Sequence, residues 1–268
     1  MAWAGVALCA LPGPVNLSAK HHLEKMPRDS VNHTQSIQIS NSKNTGVEGD
    51  VITTINWAGA GISSGADTYS SVIAMMNVPL PYSSGTPSAA SVWVGLDGIT
   101  CRSTMLQTGF QINVNASGWT SYSAWYRWFP SDAGYFDGFG LNPGDQIVMS
   151  VFADSPNSGF ALVENLSAKN AGIKRFENQT SPICGQDAAW MVEDPFITND
   201  SGVLPFTDFM TVNFTSAVAS KGNTSSSLDG ATIFTIAQNG KTFTDCVIDS
   251  SEAHDAGFTA EWPCVAGG

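Results

Sequence analysis

One carboxylate lies in a strand-like segment where its neighbours on the same face are apolar. In SGFALVENLSAKN, residues 158 to 170, two-residue alternation points Glu164 the same way as Phe160 and Leu162. A carboxylate in a half-apolar groove can take a proton from water, and a primary amide such as that of Gln107 can donate a hydrogen bond to a developing oxyanion. Glu164 and Gln107 are therefore candidates for a hydrolytic pair that needs no histidine.

Histidine is too scarce for the usual hydrolase machinery. Outside the first 50 residues the chain contains only His254, in the loop-like segment SSEAHDAGF, which argues against a Ser/His/Asp or Cys/His hydrolase. The sequence also lacks the HExxH zinc motif, the GxGxxG dinucleotide motif and the P-loop. Carboxylate and amide chemistry remains, and we expect a site without metal or other cofactor.

Short alternating segments fill the chain from about residue 55 onward. Turn clusters such as PYSSGTPSA and SKGNTSSSLDG separate them, and helical periodicity is almost absent. The pattern predicts about a dozen strands in an all-β sandwich of two packed antiparallel sheets, of the concanavalin A-like or jelly-roll type.

Alternation also sorts candidate site residues onto faces of these strands. In SVWVGLDG, Trp93 and Asp97 lie opposite an apolar face; in TMLQTGFQI, Gln107 falls on the side of the glycine; in TSYSAWYRWFP, Trp125 and Arg127 share one side. Polar groups among aromatics and glycines are typical of a concave sheet with a substrate groove. The alternative is that the aromatics simply pack between the two sheets.

Length and charge favour one acidic β-domain behind a short arm. Residues 1–50 are expected to form a signal-like segment, a pro-segment or a disordered arm, and residues 51–268 the sandwich domain. The net charge is −12; residues 1–50 contain four basic and four acidic side chains, so the domain carries the whole excess. Such a surface repels nucleic acid and anionic membranes, and we expect a monomer that binds neither.

The cysteines indicate an oxidising compartment. Cys101, Cys184, Cys246 and Cys264 lie in the domain without CxxC spacing, which predicts two disulfides and secretion. Three pairings are possible, and loop closure favours Cys101 with Cys184 and Cys246 with Cys264.

A series of ordered motifs resembles the glutamic peptidases, or eqolisins. The motifs are NWAGAGI, MNVPLP, SVWVGLDG, LQTGF, AWYRWFP, GDQIVMSV, ALVENLS and AAWMVEDP. The resemblance implies a β-sandwich, secretion from a fungus after loss of a pro-segment, and endopeptidase activity on proteins and peptides at acid pH.

The resemblance also implies site residues. The family's catalytic glutamine maps to Gln107 in LQTG and its glutamate to Glu164 in the ENL segment. Groove positions are matched by Trp57, Trp93, Asp97 and Trp125, and Arg127 lies on the same face.

Several positions depart from the family pattern. Arg127 stands where relatives usually carry an acid, polar or acidic groups near Gln111 and Ser123 are replaced, and Ala189 occupies the first glutamate position of the motif AEF/W-x-x-E. These changes remove negative charge from the groove and place a fixed cation near the catalytic carboxylate.

Two other functions fit the same sequence features. Aromatics on a concave sheet also stack on sugars, so a carbohydrate-binding or glycan-cleaving sandwich is one alternative; Asp97 would be the candidate second carboxylate of a glycosidase. A peptidase-like protein that binds peptides without cleaving them is the other.

Overall fold

The protein is an all-β sandwich. The computed structural model describes residues 50–195, 204–249 and 257–261. Within these ranges the chain forms two sheets and no helix. The predicted fold class is therefore confirmed. The arm expected over residues 1–50 lies outside the described residues, apart from Asp50.

The first sheet, called sheet A here, carries most of the candidate site residues. Its strands, in spatial order, are β1 (Val51–Thr54), β14 (Thr232–Gln238), β2 (Trp57–Ser63), β11 (Asp187–Glu193), β4 (Ser88–Leu96), β5 (Met105–Val114), β6 (Thr120–Phe129) and β7 (Gly134–Tyr135), with β15 (Lys241–Thr242) paired to β14. Strand β1 runs parallel to β14, and the other described pairs of this sheet are antiparallel.

The second sheet, called sheet B, is antiparallel throughout the described pairs. Its strands, in spatial order, are β10 (Asn170–Phe176), β9 (Ser158–Asn165), β8 (Gln146–Ser155), β3 (Ser71–Asn77), β12 (Thr211–Lys221), β17 (Gly257–Glu261) and β16 (Asp245–Asp249), with β13 (Thr224–Ser226) paired to β12.

Alternate residues of both sheets form the core between them. Val94 and Phe110 of sheet A and Val151, Ala161 and Val163 of sheet B are fully buried in one cluster. Burying each large apolar side chain stabilises the fold by roughly 1.5–3 kcal/mol. The inward faces of β4, β5, β8 and β9 are thereby fixed, and the residues between these positions must face outward.

Sheet A has a second apolar layer on its outward face. This layer contains Trp57, Trp93, Met105, Trp125, Ala189, Met191 and Phe234. As a result all nine residues of β4 are buried. The corresponding outward face of sheet B is more open, with Ile73 37% and Ile173 65% exposed.

One of the two expected disulfides is formed. Cys101 is bonded to Cys184, as predicted. Cys246 is a buried free thiol, and Cys264, its expected partner, lies outside the described residues. Strand β16 points Cys246 into the core, where burial, assisted by the charge of Asp245, raises the pKa of the thiol to about 12. The described part of the chain contains no membrane-spanning helix.

Candidate active site

Glu193 is a buried carboxylate on the outward face of sheet A. It ends β11, opposite Trp57 of β2 and Ser91 of β4, and is 2% exposed. The indole Nε1 of Trp93 donates a hydrogen bond to Glu193 Oε2 at 2.7 Å, and Asn56 Nδ2 donates to Oε1 at 3.5 Å. Hydrogen bonds donated to a carboxylate favour its ionised form, whereas burial acts in the opposite direction.

Gln107 lies on the same face, close to the ring of Trp93. It belongs to β5, is 4% exposed, and is paired with Gly95 of β4. A Cβ atom added at Gly95 would lie 3.2 Å from Gln107 Cγ and 3.2 Å from Trp93 Cζ3. Gly95 therefore leaves the space in which these two side chains meet. Trp93 lies between the two groups, since its Cζ3 and Gln107 Cγ border the same space above Gly95 and its N–H is bonded to Glu193.

Arg127 adds a buried cation to this face. It is directly paired with Gln107 across β5 and β6 and is 5% exposed. Its Nε donates to the carbonyl oxygen of Ser131 at 2.8 Å, and its Cζ lies 4.9 Å from the centroid of the Phe129 ring. Burial lowers the pKa of Arg127, while the negative charges of Glu193 and Asp132 oppose this shift. The positive charge of Arg127 therefore acts on Glu193, and not on Glu164, the carboxylate beside which it was expected.

Two further tryptophans enclose the carboxylate. Trp57 packs edge-on against Trp93 with ring centroids 5.5 Å apart. Trp125 donates its indole N–H to Ser91 Oγ at 3.1 Å, and Ser91 is the residue of β4 that is paired with Glu193. Trp93, Trp125, Gln107 and Arg127 thus share one face, as the alternation predicted, and Trp57, which the resemblance implied, lies with them.

Asp97 supports the site from outside the groove. Strand β4 ends at Leu96, and Asp97 adopts a φ of 65°, so the alternation of the strand no longer applies to its side chain. Its carboxylate accepts hydrogen bonds from the backbone N–H groups of residues 184–187, between 2.7 and 3.3 Å. Asp97 therefore fixes the turn that leads into β11 and Glu193.

Asp187 makes the reciprocal contact. Its Oδ2 accepts the backbone N–H groups of Ile99, Thr100 and Cys101 at 2.8–3.1 Å, and its Oδ1 accepts the hydroxyls of Ser63 and Thr100 at 2.7 Å each. We call this crossed arrangement of Asp97 and Asp187 the carboxylate clasp. The Cys101–Cys184 disulfide joins the same two turns covalently.

Glu164 does not join Gln107 at a common site. It lies on β9 of sheet B, and its neighbours Val163 and Asn165 are the residues that point inward, both fully buried. Glu164 consequently faces away from sheet A, whereas Gln107 faces away from sheet B. Both sheets and the core separate the two side chains. Alternation grouped Glu164 correctly with Phe160 and Leu162, but that face is the outer one of the other sheet.

Sequence reasoning missed Glu193, although a signal for it was present. The segment AAWMVEDP contains a W-x-x-E spacing, and Glu193 is its glutamate. Alternation along β11 also puts Glu193 on the face of Ala189 and Met191, which belong to the outer apolar layer. A lone acid at the end of that face was as informative as Glu164.

Comparison with known proteins agrees with this fold. The model of the Peptidase A4 family matches residues 55–255. The chain belongs to the Peptidase A4 family. This membership confirms the predicted glutamic-type endopeptidase class and does not favour the carbohydrate alternative.

Two relatives of this chain come from fungi. Scytalidopepsin B of Scytalidium lignicola is 38% identical over 202 residues, 73% of this chain and 75% of that protein. Aspergillopepsin-2 of Aspergillus niger is 35% identical over 210 residues, 71% and 73% respectively. A crystal structure of scytalido-glutamic peptidase with a transition state analog inhibitor is similar with a TM-score of 0.67 and 33% identity, over 78% of this chain and 98% of that one.

Proposed function

We propose that this peptidase cleaves protein substrates at acid pH with Glu193 as the general base and Gln107 as the oxyanion donor. The observation that carries the assignment is the Trp93 side chain, which adjoins Gln107 and is hydrogen-bonded to Glu193 on one face of sheet A. No other described acid has this relation to Gln107.

The reaction follows from the chemistry of the two groups. Glu193 takes a proton from a water molecule, and the water oxygen attacks the scissile carbonyl carbon. The carboxamide N–H of Gln107 stabilises the negative charge that develops on the carbonyl oxygen. Glu193 then returns the proton to the leaving amine, and the C–N bond breaks without a covalent enzyme intermediate.

Low pH is compatible with a carboxylate base in this environment. The hydrogen bonds from Trp93 and Asn56, and the positive charge of Arg127, all favour the ionised form of Glu193. These contacts support Glu193 as a base, because a carboxylate accepts a proton only in its ionised form.

A pair of isosteric substitutions tests the assignment. Glu193→Gln should lower the rate of digestion of a denatured protein at about pH 3 by roughly 10²- to 10⁴-fold. Glu164→Gln is the matched control on the opposite face of the sandwich, and its rate should equal that of the wild type. Near-normal turnover in Glu193→Gln, or a comparable loss in Glu164→Gln, would refute Glu193 as the base.

Secretion and removal of the N-terminal arm complete the proposal. The Cys101–Cys184 disulfide supports an oxidising compartment, and the family match begins at residue 55, just after the expected arm. Mass spectrometry of the active protein from culture medium should find a chain that starts near residue 50. An active form with residues 1–50 intact would contradict the pro-segment.

A further inference from the structure

Arg127 has more hydrogen-bond donors than the described protein uses. A guanidinium carries five N–H groups, and the bond from Nε to Ser131 accounts for one of them. Trp57 Nε1 is the one buried side-chain nitrogen or oxygen of the described residues that lacks a partner. The terminal nitrogens of Arg127, which form no ion pair within the described ranges, therefore reach the solvent of the groove.

The guanidinium is held in a fixed position. The carbonyl oxygen of Ser131 binds it on one edge, and the Phe129 ring lies beneath it. A cation above an aromatic face gains electrostatic attraction, which restricts its orientation. Its remaining donors are consequently presented as a rigid fork, the geometry that matches a carboxylate.

Its location is next to the reacting bond. Directly paired residues of antiparallel strands have Cβ atoms roughly 4.5–5.5 Å apart, and Arg127 is paired with Gln107. If Gln107 binds the scissile carbonyl, a substrate side chain flanking that bond lies within reach of Arg127. This step rests on the proposed function, because Gln107 locates the carbonyl.

Arg127 forms no ion pair with an acidic side chain of the described residues, although two acids act on it electrostatically. The groups whose charges act on it are Glu193 of β11 and Asp132 after β6, and the facing positions of β5 carry uncharged Gln107 and Met105. A desolvated cation is stabilised by a paired anion. We propose that Arg127 binds the carboxylate of an aspartate or glutamate flanking the scissile bond, so that this peptidase prefers acidic substrate residues there.

Substrate ionisation gives the proposal its own signature. The side chain of a peptide aspartate has a pKa of about 3.9, so it is charged at about pH 5 and neutral at about pH 2.5. A preference for aspartate over isosteric asparagine should therefore be present at the higher pH and disappear at the lower one. Assistance to the oxyanion by Arg127 would instead act equally on both peptides.

The experiment compares kcat/KM for paired peptides that carry Asp or Asn at each position flanking one scissile bond. At about pH 5 the wild type should favour the best Asp peptide by about 10- to 100-fold, the size of a charge-assisted hydrogen bond. Arg127→Gln should bring this ratio to about one, and Arg127→Lys should keep part of it. Arg127→Glu should favour a Lys peptide over the Asp peptide.

A binding measurement separates this inference from the proposed mechanism. In Glu193→Gln, calorimetric affinities for the same peptides should show the Asp preference, and the Glu193→Gln/Arg127→Gln double variant should lose it. Equal wild-type values for Asp and Asn at about pH 5, or a preference retained in Arg127→Gln, would overturn the role of Arg127. Cleavage by Glu193→Gln would refute the proposed base alone. Each Asp/Asn ratio compares two peptides with the same variant, so a reduced fraction of folded protein lowers both values equally and leaves the ratio unchanged.

Discussion

Strand β11 carries a buried carboxylate at each end, and the two differ in what binds them. Asp187 and Glu193 lie on the same face, 0% and 2% exposed. Asp187 accepts backbone N–H groups and hydroxyls of neighbouring turns, whereas Glu193 accepts hydrogen bonds from the side chains of Trp93 and Asn56. Backbone donors tie Asp187 to the path of the chain, while side-chain donors hold Glu193 among the groove residues.

The comparison teaches that burial of an acid does not by itself indicate reactivity. A carboxylate has about four lone-pair sites, and the five hydrogen bonds to Asp187 occupy them. Asp187 therefore stabilises the fold and has no lone pair left to accept a proton from a substrate or water. The same holds for Asp97, the other member of the clasp. We therefore expect substitutions at the clasp to change stability and substitutions in the groove to change turnover.

The largest effect should come from Asp187→Ala. It would leave the buried backbone N–H of Cys101 and the part-buried N–H groups of Ile99 and Thr100 without this acceptor, and a buried group left unpaired costs about 1–3 kcal/mol. We expect the free energy of unfolding to fall by about 3 kcal/mol or more, measured by chemical denaturation. Asp137→Ala, at an exposed position, is the control and should change it by less than about 0.5 kcal/mol. A stable Asp187→Ala protein would remove the distinction between the two ends of β11.

Gln107→Ala should affect turnover instead of stability. Loss of an oxyanion donor lowers kcat by about 10²- to 10³-fold, and the thermal transition should be nearly unchanged. Gln111→Ala, four residues further along the same face and bonded to Asn113, serves as the control with near-normal kcat. A Gln107→Ala enzyme with normal kcat would show that another group stabilises the oxyanion.

Removing the disulfide should destabilise the clasp end without changing the chemistry. Replacing Cys101 and Cys184 by serine opens a loop of 83 residues, a change worth about 2–4 kcal/mol. Because the clasp joins the same two turns, the loss should be non-additive with Asp97→Asn in a double-mutant cycle. Strict additivity would mean that clasp and disulfide act independently.

The smallest effect concerns pH. Burial raises the pKa of Asp97 above its usual 3.8, although its backbone hydrogen bonds oppose the shift. The folded protein therefore binds more protons than the unfolded chain between the two pKa values, and stability should fall as pH rises from about 4 through the folded pKa. In Asp97→Asn this slope, at most about 1.4 kcal/mol per pH unit, should become shallower. Denaturation between about pH 3.5 and 6.5 measures it, and an unchanged slope would contradict the shift.

The sequence predicted the sandwich because period-two alternation is a local property of each strand. It also grouped Trp93, Gln107 and Arg127 correctly on one face. Gly95 and Gly109 indicate this face, because their missing side chains leave room for those of Trp93 and Gln107. It did not reveal which face of a strand points inward, because sheet A is apolar on both faces and sheet B keeps Phe160 and Leu162 outside. For this reason the sequence pointed to Glu164, whereas the proposed base is Glu193 on the outward face of sheet A.

The cysteine and Asp97 expectations show the same limit in another form. Counting cysteines cannot reveal that Cys246 faces the core of the sandwich, because that depends on how β16 is seated. Asp97 was assigned to the groove by extending an alternation past the last residue of β4. Two-residue alternation predicts the direction of a side chain only within a strand, and Asp97 lies one residue beyond the end of β4.

The position of β11 in sheet A also sets a time order for folding. It lies between β2 and β4, which are synthesised earlier: β4 ends at Leu96 and β2 at Ser63, about 90 and about 125 residues before β11 begins at Asp187. At a synthesis rate of roughly 5–20 residues per second, those two strands wait on the order of 5–20 s for the strand that fills the gap between them. The groove is incomplete throughout that interval, because its carboxylate arrives on the inserted strand. With Glu193 as the proposed base, a nascent chain could not cut itself or its neighbours until most of the domain has been made.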